Sequence, residues 1–367
     1  MNLKIFLEEQ NPILTEGCLS NEERLRLIKV YDSLKDKPEG FDDYLLEHTS
    51  PETIDFVIPY TDFTDPCWKK EFNKTLENLK INTSDLKNND DMDNEETLKL
   101  VFRGIEKYVP WVGIIHFIVK YPSQIPEWLD ISKVHIVYHK DFIPAGFLPT
   151  FNKNTVDTFL FRVIGLSEKF IKRDPNIYFL GDLKPTHFFI DGKPIIDFYF
   201  KDAWEDVPAT IPIERLVEYN LKLAENLTNG KLLKKINRIK IHGLTYKLYP
   251  FCKSCCKSIY ETHKNFIAYE LQPMELKESW FSAHILLILI SLIEGYSTRV
   301  LTAYPNFYYT DEDYAISSKR ILKFLETHFF ENFYKVIYYR TSYLRDRLYV
   351  LKELGDRVPN ISKYERN

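Results

Sequence analysis

The chain has few cysteines and little net charge. Its 367 residues include only 5 cysteines, 12 glycines and 3 methionines, and the formal net charge is -4. So few cysteines, odd in number, do not supply the disulfide framework of a secreted domain, and we predict reduced thiols. A net charge this close to zero gives no general attraction to polyanions, so nucleic acid is excluded as a predicted partner.

Long hydrophobic runs are also missing. The longest apolar run, residues 281–293, is shorter than the ~20 residues that span a bilayer, and His284 interrupts it. We interpret this run as a buried core helix. The first ten residues contain no apolar stretch of the kind found in signal peptides. The sequence therefore predicts a cytoplasmic protein, with peripheral association at the inner face of the membrane as an open alternative.

What the chain does contain is typical of a packed globular protein, since 44% of its residues are hydrophobic and 15% are aromatic. Three parts are predicted. Residues 1–50 form a helical preface, in which Ser20 and Glu23 have the spacing of a capping box. Residues 51–210 form an α/β core, and residues 211–367 are mainly helical, with long helices expected at 213–227, 275–296 and 317–354.

Short β-type runs alternate with helical periodicity in the predicted core. Strands are expected at Ile54–Pro59 and at 114–119, 134–138 and 177–180, and a helix at 97–108. This order predicts an α/β fold with a mixed or mostly parallel sheet, of the type that binds nucleotide sugars, and with flanking helices. Asp62 and Asp65 follow the first strand, where such sheets place ligands.

Several motifs of the core resemble the first and second conserved regions of the Stealth proteins. The first region is matched by Ile54–Pro59 together with Asp62, Asp65, Pro66 and Trp68. The second is matched by residues 103–112, 125–129, 148–154, 165–168 and 188–194. A weaker likeness to the third region includes His242, Phe266 and residues 280–295, and Pro359, Ser362 and Glu365 resemble the end of the family sequence.

The resemblance implies a sugar-phosphate transferase of capsule or exopolysaccharide biosynthesis. In that reaction an acceptor hydroxyl attacks the sugar-linked phosphorus of a nucleotide sugar, and a nucleoside monophosphate leaves. The expected partners are a nucleotide sugar and a polysaccharide or other glycan acceptor, and Mg²⁺ or Mn²⁺ is the expected cofactor. The implied roles are catalysis for His242, Asp62 and Arg103, substrate binding for Asp65, Asn152, Asn154 and Asp182, and metal binding for Asp182.

Each of these residues also has a structural interpretation. Asp62 and Asp65 suit Asx turns or helix caps, Arg103 suits a salt bridge on a helix, and Asn152 and Asn154 precede a predicted helix that either could cap. His242 is expected to act as the general base, because a neutral imidazole accepts protons near pH 7. A plain surface histidine is the alternative.

The sequence departs from the family at polar positions. Asp91-Met92-Asp93-Asn94 stands where the family has Arg-x-Arg-Asp, and Phe63 stands where the family has glycine. The family's Asn-Asp-Asp falls on Asp174-Pro175-Asn176 or, in a second alignment, on Leu180-Gly181-Asp182. Two functions therefore stay open: a transferase with reduced or lost activity, and a non-catalytic glycan-binding or regulatory protein on the same scaffold.

A cluster of thiols is the remaining motif. Cys252, Cys255 and Cys256 lie between His242 and His263, and Cys252 and Cys255 have Cys-x-x-Cys spacing. With no second Cys-x-x-Cys in the chain, we predict reduced thiols here rather than a zinc site.

Overall fold

The computed structural model describes most of the predicted core and parts of the remainder. The described residues are 2–10, 17–82, 94–174, 177–179, 181–198, 211–230, 248–271, 281–301, 307–311, 336–340, 352, 355–356 and 358–366. Among the residues outside these ranges is His242.

Ten α-helices occur in the described ranges. They are α1 (Leu3–Glu9), α2 (Asn21–Ser33), α3 (Phe41–Glu47), α4 (Pro66–Leu79), α5 (Glu95–Tyr108), α6 (His139–Phe142), α7 (Lys153–Phe159), α8 (Ile211–Leu227), α9 (Lys253–Glu270) and α10 (Ala283–Ile293). The predicted capping box of α2 is confirmed, because Ser20 Oγ accepts from the Glu23 amide and Glu23 accepts from the Ser20 amide.

The strands of the same ranges form three sheets. They are β1 (Ile54–Pro59), β2 (Ile115–Val119), β3 (His135–Tyr138), β4 (Lys169–Arg173), β5 (Ile177–Phe179), β6 (Phe189–Ile190), β7 (Lys193–Phe198), β8 (Leu248–Cys252), β9 (Thr298–Leu301), β10 (Phe307–Asp311) and β11 (Val336–Arg340). Two smaller sheets have the orders β10-β11-β5 and β6-β7-β9.

The central sheet has the strand order β3-β2-β1-β4-β8. Strands β1 to β4 are parallel and β8 is antiparallel to β4. The carboxyl ends of β1 to β4 therefore meet at one edge of the sheet, which we call the carboxyl edge; the opposite edge is the amino edge. Strand order reverses at β1, the arrangement that opens a crevice for ligands at the carboxyl edge of α/β sheets. The predicted α/β class with a mostly parallel sheet is confirmed.

Hydrophobic cores cover both faces of this sheet. One core includes Phe56, Phe102 of α5 and Phe117, and the other includes Phe170 and helix α10. Ile285, Leu289 and their neighbours in α10 are fully buried, as the apolar run predicts. No helix in the described part of the chain has the length and hydrophobicity needed to cross a bilayer.

Strand β4 was not predicted, because its sequence, Lys-Phe-Ile-Lys-Arg, has three positive charges in five residues. All five residues are nevertheless buried. Lys172 reaches two buried carboxylates, and Arg173 donates to the Ile177 carbonyl oxygen at 2.9 and 3.1 Å. Internal partners thus replace the water that a charged strand would otherwise require.

Two other predictions about the sheets differ from the structure. The predicted strand at 177–180 corresponds to β5, which pairs with β11 rather than joining the central sheet. The helix expected at 317–354 is contradicted at Val336–Arg340, which forms strand β11. Tyrosine and β-branched residues at four of these five positions suit a strand, so local propensity prevailed over the longer helical pattern.

Candidate carboxyl-edge site

The loop after β1 presents Asp62 at the carboxyl edge. Asp62 is partly exposed, and its Oδ1 accepts hydrogen bonds from the Thr64 amide at 2.7 Å and the Thr64 hydroxyl at 2.6 Å. The Gln124 side chain, from the loop after β2, donates to the Asp62 carbonyl oxygen at 3.2 Å. Asp62 thus forms the Asx turn that was given above as its structural interpretation. The two bonds from Thr64 both use Oδ1 and not Oδ2.

Asp65, three residues later, has a structural role. It is the N-cap of α4, is 3% exposed, and accepts from the Trp68 amide at 2.7 Å. Phe63 packs edge-on against Trp68, with ring centres 4.9 Å apart. Trp68 in turn contacts Phe72 and Phe151. Phe63 therefore joins an aromatic cluster beside Asp62.

Lys120 is a carboxyl-edge residue that sequence reasoning missed. It follows β2, and its Nζ donates to Glu71 Oε2 at 2.7 Å and to the Thr150 carbonyl oxygen at 3.2 Å. The same nitrogen lies 3.3 Å from the ring centre of Phe151. Burial lowers the pKa of Lys120 to about 8, although Glu71 favours the charged form. The ammonium is thus held inside the site wall by an acid, a carbonyl and a ring.

His139, the residue after β3, is the second missed residue. It is 8% exposed, and its Nδ1 has no hydrogen-bond partner among the described residues. Burial, with a smaller contribution from the Lys120 charge, lowers the pKa of His139 to about 3, so its imidazole is neutral at pH 7. Their position in the sequence could have identified both residues. Lys120 and His139 directly follow predicted strands, just as the Asp62 loop follows β1.

Asn152 and Asn154 organise the helices at the same edge. Asn152 is 4% exposed, and its Oδ1 accepts from the Asn154 amide, which makes it the N-cap of α7. Asn154 donates to the Phe281 carbonyl oxygen at 3.1 Å and accepts from the Ala283 amide at 2.9 Å. Asn154 therefore holds the start of α10 against α7, and both amides have structural partners.

A buried ion network lies at the end of β4. Lys172 Nζ donates to Asp157 Oδ2 at 2.9 Å and to Asp174 Oδ1 at 2.6 Å, and all three side chains are at most 5% exposed. His284 of α10 lies 3.5 Å from Asp157. Burial alone would raise the pKa of each acid, but Lys172 holds the pKa of Asp157 and of Asp174 below the usual range. Lys172 thus neutralises Asp157 and Asp174, which are carboxylates of the kind that a divalent cation needs as ligands.

Asp174 and Asp182 lie at opposite edges of the sheet. Asp174 directly follows β4, at the carboxyl edge. Asp182 is exposed, and the adjacent Leu183 bonds to the Tyr108 carbonyl oxygen and to the Trp111 indole, in the segment that leads into the amino end of β2. The structure does not bring Asp182 to Asp62.

A divalent cation does not fit the described residues. Asp182 lies at the wrong edge, Asp174 is neutralised by Lys172, and no group of three or more metal-ligating side chains is found in the described part of the chain. The described residues at the carboxyl edge thus form no preformed cation site, and Mg²⁺ there would have to take most of its ligands from water and substrate phosphates.

Arg103 is engaged with the C-terminal segment. Its Nε and Nη2 donate to the two carboxylate oxygens of Glu365 at 2.7 and 2.9 Å, a bidentate pair. Hydrogen bonding to Glu365 raises the pKa of Arg103. Two residues matched to the family therefore meet 262 positions apart in sequence. The arginine expected on the donor instead fixes the C-terminal segment to α5, the salt-bridge alternative.

Part of this chain is similar in sequence to known proteins. Residues 91–195 match conserved region 2 of the Stealth proteins. A capsular polysaccharide phosphotransferase of Streptococcus thermophilus is 35% identical over 144 residues, which cover 38% of this chain and 59% of the relative. A Streptococcus pneumoniae enzyme of that description is 37% identical over 145 residues, 38% of this chain and 42% of the relative.

A longer match extends beyond the second region. A capsular polysaccharide phosphotransferase of Actinobacillus suis is 29% identical over 238 residues, 62% of this chain and 61% of the relative. The chain thus spans less than two thirds of the length of these curated relatives. The matched residues 91–195 contain β2, β3 and β4 with the loops at their carboxyl ends. Over residues 91–195, this chain is thus similar to conserved region 2 of the Stealth proteins.

Proposed function

We propose that this chain transfers hexose 1-phosphate from a nucleotide sugar to a glycan acceptor in capsule or exopolysaccharide biosynthesis. The observation that carries the proposal is the coincidence of two independent features. The residues matched to the family build three of the strands whose carboxyl ends meet, and that edge is where α/β sheets bind nucleotides.

The proposed reaction is a displacement at phosphorus. An acceptor hydroxyl attacks the sugar-linked phosphorus, the bond between that phosphorus and the bridging oxygen breaks, and a nucleoside monophosphate leaves with the bridging oxygen. His242, which lies outside the described residues, is proposed to take the hydroxyl proton. Asp62 Oδ2 is proposed to accept a donor hydroxyl. Asp65, Asn152, Asn154 and Arg103 support the site by holding α4, α7, α10 and the C-terminal segment, as their contacts above indicate.

Asp62 can be tested against a matched control. Asp130 makes the same kind of Asx turn, accepting from the Ser132 amide at 2.9 Å, but precedes β3 and so lies towards the amino edge. Asp62→Asn and Asp130→Asn should therefore cost similar stability. We expect only Asp62→Asn to lower kcat/KM for donor turnover, by about a hundredfold if Asp62 acts on the transition state. Equal kcat/KM values for the two variants would contradict a role for Asp62 in donor turnover.

A second function is favoured by one specific observation. In either alignment at most one carboxylate of the family's pair remains, and Asp174, the carboxylate of the first alignment, is paired with Lys172. A non-catalytic protein that binds glycans or regulates a partner would tolerate these changes, whereas cation-assisted transfer would not.

Thermal unfolding distinguishes donor binding from glycan binding alone. Melting of the full chain is measured with UDP-linked and CMP-linked sugars, each with and without Mg²⁺ or Mn²⁺, and separately with capsular polysaccharide. A ligand at 100 times its dissociation constant should stabilise the fold by about 2.7 kcal/mol. Stabilisation by a nucleotide sugar supports the transferase. Stabilisation by polysaccharide alone supports the non-catalytic alternative.

A further inference from the structure

The thiol pair at the start of α9 lies apart from the carboxyl-edge site. Cys252 ends β8 and is the N-cap of α9, and Cys255 lies in the first turn of that helix. Because β8 is antiparallel to β4, Cys252 pairs with Lys169, the first residue of β4. The thiol pair is therefore at the amino edge of the central sheet.

The two thiols are close together in sequence and remain accessible. Cys252 is the N-cap of α9, Cys255 follows it by three residues, and both are only partly buried. Cys256, the next residue, is buried and lines a small cavity beside Lys172 and His284. Of the three cysteines of the cluster, Cys252 and Cys255 are thus the two that solvent reaches.

Glu168 gives the two thiols different environments. Its Oε1 accepts from the Cys252 thiol at 2.6 Å, and its carboxylate also accepts from the Ser254 amide at 3.3 Å. A carboxylate opposes ionisation of the thiol it contacts. Interaction with Cys255, burial and Glu168 together raise the pKa of Cys252, whereas interaction with Cys252 and Ser254 lowers the pKa of Cys255.

The turn that carries the pair is rigidly held. The Lys253 amide donates to the Glu168 carbonyl oxygen at 2.8 Å, and Lys253 Nζ donates to Asp42 Oδ2 at 2.6 Å. Lys253 Nζ also reaches the carbonyl oxygens of Val163 and Leu166. A fixed turn at a helix N-terminus, with two thiols three residues apart, is the arrangement in which dithiols form disulfides readily.

We propose that Cys252 and Cys255 form a redox site that a peroxide converts to an intramolecular disulfide. The Cys255 thiolate attacks one peroxide oxygen, the O–O bond breaks, and Cys255 becomes a sulfenic acid as hydroxide leaves and is protonated to water. Cys252 gives its proton to Glu168 and attacks the Cys255 sulfur. The S–O bond breaks and a second water leaves. In total, two thiols and one peroxide yield one disulfide and two waters.

Mass spectrometry of the full chain tests the product. After hydrogen peroxide, denaturation and alkylation with N-ethylmaleimide, the five cysteines should give three adducts rather than five, because two thiols are lost to the disulfide. Dithiothreitol before alkylation should restore all five adducts. Peptide mapping should place the disulfide between Cys252 and Cys255. Five adducts after peroxide, or a disulfide that includes Cys18 or Cys67, would overturn the proposal.

Two variants test the order of the steps. Cys252→Ser should stop the reaction at the sulfenic acid, so dimedone should label Cys255, whereas Cys67→Ser should still form the disulfide. Glu168→Gln should slow disulfide formation while leaving dimedone labelling of Cys255 in the Cys252→Ser background intact. Dimedone on Cys252 in the Cys255→Ser variant, at the rate seen for Cys255, would contradict the assignment of Cys255 as the attacking thiol.

Discussion

Asp55→Asn is expected to lower the free energy of unfolding by about 3–5 kcal/mol. Asp55 is fully buried in β1, and its carboxylate accepts from Arg24 at 2.9 Å and from the amides of Ile114 and Ser167 at 2.8 Å. Burial alone would raise the pKa of Asp55, but Arg24 and His116 hold it far below the usual range. Asparagine would leave the Arg24 guanidinium buried and without its counter-charge. Urea denaturation at pH 7 measures the loss.

Glu52→Gln is the matched control for this prediction. Glu52 also pairs with a cation, Lys169, at 3.2 Å, but its side chain is 83% exposed. Because the Glu52 carboxylate remains largely in water, its pair with Lys169 should contribute at most about 1 kcal/mol, and this variant should unfold close to the wild type. The double variant Arg24→Met with Asp55→Asn removes the unpaired charge and should lose less stability than the sum of its single variants. Additive losses would contradict the ion-pair explanation.

The second large effect is a loss of stability in mild acid. Burial, only partly offset by Asp55, lowers the pKa of His116 from 6.5 to about 4, and burial also lowers the pKa of His139 to about 3. Between pH 6.5 and 4 the unfolded chain takes up protons that the folded chain does not bind. Stability therefore falls as the pH is lowered, by on the order of 3 kcal/mol for each histidine over its window.

Urea denaturation at several pH values between 7 and 4 measures this effect. The buried Asp55 and Asp157 have depressed pKa values, so their contribution is lost mainly below the ordinary aspartate value of 3.8. Above pH 4, the change in the free energy of unfolding therefore comes chiefly from His116 and His139. His139→Leu should flatten the slope by removing one of them. A constant free energy of unfolding from pH 7 to pH 4 would contradict the assignment of neutral, buried imidazoles.

The fold was predictable where the sequence pattern is local. β1, α5 and the core helix α10 have apolar spacing that agrees with their burial, and the capping box at Ser20 and Glu23 is a four-residue signal. Strand β4 was not predictable in this way. Lys172 and Arg173 are buried because Asp157 of α7, together with Asp174 and the Ile177 carbonyl oxygen just after the strand, lies within hydrogen-bonding distance, which the charged strand sequence by itself does not show.

The candidate site was predictable in position more than in chemistry. Asp62 lies at the carboxyl edge, as expected for a loop that follows the first strand. The partners of Arg103 and Asn154 are 262 and more than 120 positions away in sequence, so no local pattern could show that Glu365 and the start of α10 already occupy them. Lys120 and His139 could have been found by applying the strand-end rule to β2 and β3.

The most direct test of the proposed transfer is ³¹P NMR of the full chain incubated with a UDP-linked sugar and an acceptor polysaccharide. The proposal predicts that the two diphosphate resonances are replaced by equal amounts of uridine monophosphate and a new phosphodiester, and that His242→Asn abolishes the change. Release of uridine diphosphate would show transfer of the sugar without phosphate. An intact donor in the presence of folded protein, with and without Mg²⁺ or Mn²⁺, would contradict the transferase.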